Sequence, residues 1–244
     1  MPGNNPEKMI WFVGAGPGDP ELITVKGKAL LDRADVLIYA GSLVNPVLVA
    51  GSPATEKLDS WGMHLDDMVA LMADRAKQGK TVVRLHSGDP ALYGSIVEQI
   101  AELKQLGIAV KIVPGVSSVF AAAAALGTEY TPRGVSETLI ITRPAGKTLD
   151  KDYIAELSQY PATLAFFLGS EHFADITAKL ICPQDTPAAV IFHASWPDQQ
   201  IITGTVADIA GRAQEAGITR SALLIVGRAV LGINSGYQRS YLYS

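Results

Sequence analysis

Short apolar runs alternate with longer amphipathic stretches along the first half of the chain. Residues 9–13 are continuously apolar, which is typical of a strand buried on both faces. Between residues 65 and 79, apolar residues recur at nearly helical spacing, and the simplest role for Met68 and Met72 is to fill a core. Strands and helices therefore alternate, which predicts right-handed parallel crossovers. Strands are predicted at 9–13, 35–39, 82–86 and 108–113, and helices at 24–33, 65–79, 92–106 and through the alanine run after Ser117 and Ser118.

The second half continues the alternation after one clear break. A strand is predicted at 137–143, and Pro144-Ala145-Gly146-Lys147 then interrupts the pattern, so we place a domain boundary there. The prediction is an α/β fold of two α/β domains, residues 1–143 and 144–244. In the second domain, helices are predicted near 150–159, 172–181 and 206–216, and strands at 163–168, 188–193, 200–204 and 222–226.

Composition narrows the class of protein. The 244 residues fit two domains of ordinary size, and 48% hydrophobic with 18% charged residues indicates a globular chain. A net charge of −4 argues against a general nucleic-acid binder but allows an acidic small molecule held by a few local cations. A polar N-terminus and the lack of a long apolar run argue against a membrane protein, so a cytoplasmic location is expected. Cys182 is the single cysteine and the four histidines lack metal-ligand spacing, so no disulfide and no metal are expected.

The first loop resembles a dinucleotide fingerprint without satisfying it. Gly14 and Gly16 match G-x-G-x-x-G, but the third glycine position holds Asp19. The acidic residue that should follow the second strand is also missing, since Tyr39 precedes Ala40. The pattern therefore argues against a nicotinamide site. The chain also lacks a G-x-S-x-G elbow and a P-loop lysine, which removes the serine hydrolase and P-loop kinase interpretations.

Two other loops carry residues with two possible roles. Asp89 follows the strand at 82–86, at the edge where open α/β sheets bind small molecules. Its carboxylate could bind a ribose or an amine, or could cap the following helix. Ser117 and Ser118 open the alanine-rich helix, where they could cap it or help to seat an anionic group.

Taken in order, these loops resemble the tetrapyrrole methylase family, whose members use S-adenosylmethionine. The resemblance runs from about Met9 to Arg228, and five loops in order make it specific although each one alone is weak. The stretches that carry it are Val13–Asp19 with Pro20, Leu22 and Thr24, then Ser87–Gly94, Val113–Ser118, Phe166–Gly169 and Pro187–Gly204.

The resemblance implies a class III methyltransferase-like architecture, with the cofactor site in the cleft between two α/β domains. It implies a homodimer that binds S-adenosylmethionine and a polycarboxylated tetrapyrrole, and it assigns no catalytic residue. The cofactor contacts would fall on Pro17, Gly88, Asp89, Leu92, Ser117, Ser118, Leu168 and Ala194. The candidate cations for the substrate carboxylates are Arg84, Arg133, Arg143, Lys147 and Arg220, each of which is otherwise a surface charge.

Two stretches separate branches within the family. Tyr39–Asn45 and Ala194–Gln199 resemble the branch that methylates C11 of precorrin-4 in cobalamin biosynthesis. Uroporphyrinogen methylases carry an Asp where Ala40 stands and usually a Gly where Ser87 stands, so these positions argue against that branch. The alternatives are a methylase of another ring carbon, with or without cobalt in the macrocycle, a diphthine synthase or ribosomal RNA methylase, and a non-catalytic nucleotide-binding regulator.

Overall fold

The computed structural model describes residues 9–243 and divides the chain into two compact units. The first unit ends at Ser117 and the second begins at Ser118. Both are α/β units, as the sequence predicts, and each contains its own five-stranded sheet.

The first unit is built on a fully parallel sheet. Its strands pair in the order β3-β2-β4-β1-β5, so all five carboxyl ends lie along one edge of the sheet. That edge is where the loops with the predicted ligand residues begin. The strands are β1 (Met9–Gly14), β2 (Val36–Tyr39), β3 (Glu56–Asp59), β4 (Val82–His86) and β5 (Ala109–Val113).

Helices cover both faces of this sheet. The helices of the first unit are α1 (Val25–Leu31), α2 (Pro46–Gly51), α3 (Leu65–Lys77) and α4 (Ile96–Gln105). One apolar layer joins Phe12 and Met72 to Leu103, and the other joins Leu31 to Leu85. Met68 and Met72 are buried in the first layer, which confirms their predicted role as core residues.

The second unit has a mixed sheet in the order β6-β7-β10-β8-β9. Only β6 and β7 pair in parallel, whereas β10 runs antiparallel to β7 and β8. The carboxyl ends of β6, β7 and β8 therefore share one edge with the beginning of β10. Its elements are α5 (Ser118–Leu126), β6 (Leu139–Thr142), α6 (Ile154–Leu157), β7 (Thr163–Phe166), α7 (Phe173–Lys179), β8 (Pro187–Phe192), β9 (Gln200–Thr205), α8 (Ile209–Glu215) and β10 (Ala222–Val226).

The C-terminal segment folds back onto the second unit. A 3-10 stretch, Arg228–Ser235, follows β10, and the Gln238 backbone N–H then donates to the Arg133 carbonyl at 2.9 Å. The Arg133 guanidinium lies 3.6 Å from the ring centroid of Tyr241. Across residues 9–243, none of the helices combines the length and the apolar character that a membrane span requires.

The boundary between the units differs from the predicted one at residues 143 and 144. β6 lies before the predicted break, yet it pairs along its length with β7 of the second sheet. The Tyr130 hydroxyl also donates to the Val119 carbonyl at 2.6 Å, and the Thr163 hydroxyl donates to the Tyr130 carbonyl at 2.7 Å. These bonds join residues 118–143 to the second unit. The break at Pro144 is therefore a loop inside a domain.

Candidate functional site

The loops that follow β1, β4 and β5 contact one another through their backbones. A Cβ built on Gly14 would lie 2.5 Å from the Gly115 Cα and 2.6 Å from the Gly88 carbonyl oxygen, and one built on Gly115 would overlap the same oxygen. Atoms cannot approach so closely, so positions 14 and 115 accept only glycine without movement of the backbone. Since β4, β1 and β5 are neighbours in the sheet, the three loops form one surface of main-chain atoms.

Hydrogen bonds fix the loop that contains Pro17. The Gly88 N–H donates to the Gly16 carbonyl at 2.8 Å, and the Gly16 N–H donates back to the Gly88 carbonyl at 3.3 Å. The Asn45 side-chain amide donates to the Gly18 carbonyl at 2.8 Å. Pro17 is buried between these two anchors. The structure thus brings the predicted contacts Pro17 and Gly88 into two loops bonded to each other.

Asp89 joins two of these loops through its carboxylate. Its Oδ1 accepts the Ala91 N–H at 2.7 Å, and its Oδ2 accepts the Gly115 N–H at 2.8 Å. Helix α4 begins only at Ile96, so the helix-capping interpretation of Asp89 is wrong. Each carboxylate oxygen has a second lone pair, so both keep the capacity to accept a bond from a ligand.

The segment between Asp89 and α4 is a turn and not the predicted first part of a helix. The Leu92 N–H donates to the Asp89 carbonyl at 3.2 Å, and Tyr93 and Ser95 have φ values of 55° and 47°. Left-handed backbone at non-glycine residues is strained and is concentrated at functional positions. The predicted contact Leu92 therefore lies next to two strained residues.

The second unit shows the same kind of strain at the edge where β7 and β8 end. Leu168 has a φ of 53° and an exposed side chain, and His193 and Ser195, which flank the buried Ala194, have φ values of 47° and 71°. Ser221, whose carbonyl accepts the His193 N–H at 3.2 Å, has a φ of 52°. The predicted contacts Leu168 and Ala194 thus share one strained edge.

Ser117 and Ser118 lie on either side of the division between the units. Ser117 is buried and is the last residue of the first unit. Ser118 is the first residue of α5, and this helix packs in the same apolar layer of the second unit as Ala194. Ser118 therefore belongs to the element that supports the strained edge from one face of the sheet.

Sequence reasoning missed a histidine–carboxylate contact at this edge. His193 Nδ1 lies 3.0 Å from both carboxylate oxygens of Asp198, and its ring stacks on Phe192 at a centroid distance of 3.8 Å. The pairing arises because the turn between β8 and β9 brings positions 193 and 198 together, and the spacing of five was its only signal.

Arg84 and His86 are buried side by side on the central strand β4. They are 5% and 4% exposed, and Arg84 Nε, Arg84 Nη1 and His86 Nε2 lack hydrogen-bond partners. Burial lowers the pKa of Arg84 to about 10, opposed by the charge of Asp59. Burial, helped by the Arg84 charge, lowers the pKa of His86 to about 3. Arg84 is therefore a buried cation with two nitrogens that make no hydrogen bond, and its interpretation as a surface charge is wrong.

The other candidate cations lie in the second unit, at two opposite edges of its sheet. Arg143 and Lys147 follow β6, and Arg220 precedes β10, so all three lie in loops at the strained edge. Arg133 lies at the opposite edge, where its Nη1 donates to the Arg239 carbonyl at 2.5 Å. Arg133 is thus separated from Leu168 and Ala194 by the length of the sheet.

Asp89→Ala should lower the free energy of unfolding by at least about 1.5 kcal/mol, because two backbone N–H groups lose a charged acceptor. Urea denaturation of the two proteins measures the difference. Asp32→Ala is the control, since Asp32 makes only an exposed ion pair with Lys28 and should cost less than about 1 kcal/mol. Equal losses in the two variants would contradict the structural role of Asp89.

The low pKa of His86 predicts a pH dependence of stability. Between pH 3 and pH 6.5 the unfolded chain binds a proton at His86 that the folded chain excludes, so this contribution is complete above about pH 6.5 and is lost as the pH falls. His86 alone should make the protein less stable at pH 5 than at pH 7 by about 2 kcal/mol.

The measurement is urea denaturation at both pH values for the wild type and for His86→Asn. The other three histidines are the same in both proteins, so any contribution from them cancels in the comparison. Glu56, Asp152 and Asp208 have lowered pKa values, and they are present in both proteins, so their contributions cancel as well. An identical loss of stability in the two proteins would show that His86 does not exclude the proton.

Comparison with known proteins leads to the same family that these loops resemble. Residues 9–210 match the family model described as Tetrapyrrole (Corrin/Porphyrin) Methylases. The chain is 46% identical to a cobalt-precorrin-4 C(11)-methyltransferase of Methanocaldococcus jannaschii, over 98% of this chain and 94% of the relative. It is 44% identical to a precorrin-4 C(11)-methyltransferase of Pseudomonas aeruginosa, over 96% of this chain and 94% of that one.

Two solved structures extend the comparison to the fold. A cobalt precorrin-4 methyltransferase has a TM-score of 0.88 at 44% identity, covering 91% of this chain and 96% of its own. A uroporphyrin-III C-methyltransferase of Thermus thermophilus, solved in complex with S-adenyl homocysteine, has a TM-score of 0.76 at 27% identity, covering 91% and 93%. The matches in sequence and fold extend over nearly the whole chain, and the chain belongs to the tetrapyrrole (corrin/porphyrin) methylases.

Proposed function

We propose that the chain transfers a methyl group from S-adenosylmethionine to C11 of precorrin-4 in cobalamin biosynthesis. The observation that carries the proposal is the position of the strained backbone. All six non-glycine residues between positions 9 and 243 that have left-handed φ values lie in or beside loops where the family resemblance places cofactor contacts. Strain of about 1–3 kcal/mol per residue persists where function requires the conformation. The relatives at 44–46% identity supply the substrate and the ring position through their names.

The cofactor residues of the proposal are those predicted from the sequence: Pro17, Gly88, Asp89, Leu92, Ser117, Ser118, Leu168 and Ala194. The glycine contact between the loops of the first unit fits such a ligand, because it leaves backbone groups accessible where side chains would block them. The remaining lone pairs of Asp89 suit a ribose hydroxyl or an ammonium group. The neighbour solved with S-adenyl homocysteine supports this choice of ligand class.

S-adenosylmethionine supplies a methyl group that is already activated on a sulfonium, and a carbon of the electron-rich macrocycle is a competent nucleophile. The task of the protein is then to position the two reactants in line, which can lower a barrier by roughly 7–11 kcal/mol. Rigid loops suit this task. Those of the first unit are fixed by backbone contacts and by both oxygens of Asp89.

Arg84 is the proposed partner of a substrate carboxylate. A guanidinium that is 5% exposed and has two unpartnered nitrogens gains more from an anion than a solvated surface cation does. Arg143, Lys147 and Arg220 lie in loops at the strained edge of the second unit and could hold further carboxylates. Arg133 lies at the opposite edge of that unit, so it is not among the proposed partners of the substrate carboxylates.

A cytoplasmic homodimer remains our expectation for the assembled enzyme. It rests on the family resemblance, and the C-terminal segment contacts the Arg133 loop of its own chain. The relatives include enzymes named for precorrin-4 with and without cobalt, so both forms belong in the assay.

The assay supplies labelled S-adenosylmethionine together with precorrin-4 or cobalt-precorrin-4, both generated enzymatically. Carbon NMR should find the new methyl group at C11 in at least one product. A label at another ring carbon would contradict the assignment to C11, while the assignment to the family would stand. Calorimetry should also show binding of S-adenosylhomocysteine, and binding of NAD in its place would overturn the cofactor assignment.

Ala40→Asp tests the branch assignment. Ala40 follows β2, two residues after Ile38, which is in register with Arg84, so an aspartate there would compete with the substrate for the buried guanidinium. Turnover of the precorrin should fall at least about tenfold, while the affinity for S-adenosylhomocysteine should stay unchanged. Ala40→Ser is the neutral control. A variant that turns over precorrin-4 as the wild type does would remove Ala40 as a determinant.

A further inference from the structure

Trp61, two residues after the end of β3, presents its indole to solvent. Its exposed fraction is 86%, although a tryptophan typically gains by burying 150–250 Å² of its surface. It lies at the carboxyl edge of the first sheet, the edge that also bears the loops with the predicted cofactor residues of that unit. Together with the exposed Leu43 and Met63, it offers an apolar surface that a partner could cover.

The backbone that carries Trp61 is held firmly in place. Oδ1 of Asp59 accepts the Trp61 N–H at 2.9 Å and the Gly41 N–H at 3.1 Å, so one carboxylate oxygen joins the loops after β2 and β3. Both the N–H and the hydroxyl of Ser60 donate to the Tyr39 carbonyl at 3.0 Å. The loop is therefore ordered before any ligand binds, which reduces the entropy lost on binding.

Exposed apolar side chains adjoin the indole, and Asp59 connects its loop to the buried Arg84. A Cβ on Gly41 would lie 3.7 Å from Trp61 Cε3, so the glycine leaves the side of the ring open. Leu43 and Met63 are exposed on the adjoining turns. The Asp59 carboxylate that anchors the loop is also the charge that acts on Arg84 within the sheet. A flat conjugated molecule with acidic side chains matches both features.

We propose that the Trp61 indole is a stacking surface for the conjugated macrocycle of the substrate, a role that rests on the proposed function. The macrocycle lies against the indole and covers it, while its carboxylates reach the cation on β4. The small residues at positions 40 and 41 leave room for the ring system. Trp61 thereby contributes to substrate affinity and orientation and takes no part in bond formation.

The test compares the wild type with Trp61→Ala, Trp61→Phe and Val97→Ala. Phenylalanine keeps an aromatic face, and Val97 is an apolar side chain on α4 that is 78% exposed. The probe is cobalt-uroporphyrin III, a stable polycarboxylated tetrapyrrole, titrated while tryptophan fluorescence is recorded. KM and kcat for enzymatically generated precorrin-4 and the affinity for S-adenosylhomocysteine complete the comparison.

Trp61→Ala should weaken probe binding and raise the KM for precorrin-4 by roughly tenfold, the loss expected for one aromatic contact with its buried area. Its kcat and its affinity for S-adenosylhomocysteine should stay unchanged, Trp61→Phe should recover most of the loss, and Val97→Ala should behave as the wild type. The probe should quench the fluorescence of the wild type more than that of Trp61→Phe.

Wild-type affinity for the probe in Trp61→Ala would overturn the proposal even if the wild type methylates C11. Trp61→Ala could also keep its affinity for the probe but sediment as a monomer where the wild type sediments as a dimer. That result would overturn the proposal and show that the indole contacts a second copy of the chain. Failure of the wild type to methylate precorrin-4 would contradict the proposed function and would not by itself contradict the role of Trp61. The probe titration still decides the role of Trp61 in that case.

Discussion

Close approach of three main-chain segments is the constraint on which the first unit depends. Gly14, Gly88 and Gly115 come from three neighbouring strands, and their backbones are so near that side chains are excluded from two of the positions. Asp89 completes the arrangement because it bonds the N–H of Gly115 from the loop of Gly88. A ligand at this edge therefore meets main-chain groups whose geometry is set by the sheet. Recognition can then be shape-specific with few side chains.

The sequence predicted those parts of the candidate site that lie in loops with a recognisable residue pattern. The small-residue loops identified the family, and the cofactor class was predicted through it. The burial of Arg84 could not be predicted, because a cation within an apolar run gives no sign of whether it reaches solvent. The pair of His193 and Asp198 depends on the turn between two strands, which the spacing of the residues does not specify. The double backbone bond of Asp89 requires a loop 26 residues away.

Elements with continuous apolar runs could be predicted from the sequence. Elements whose position depends on edge exposure, backbone strain or long-range pairing could not. β1 and β10 are buried along nearly their whole length, so hydrophobicity alone marks them. β3 reads Glu-Lys-Leu-Asp and was missed, because an edge strand of four residues keeps alternate charged side chains in solvent. The start of α4 was placed too early because Tyr93 and Ser95 take a strained conformation that no propensity favours. The domain boundary depended on the pairing of β6, a long-range contact.

The strand order has a consequence for synthesis of the chain. All five strands of the first sheet are available for pairing once β5 has left the ribosome, so that unit can complete its sheet early. In the second unit, β10 is the last strand in the sequence yet lies between β7 and β8. Until residue 226 emerges, those two strands lack the neighbour that covers their inner edges. The nascent second unit therefore passes through a period in which open strand edges invite pairing with other chains.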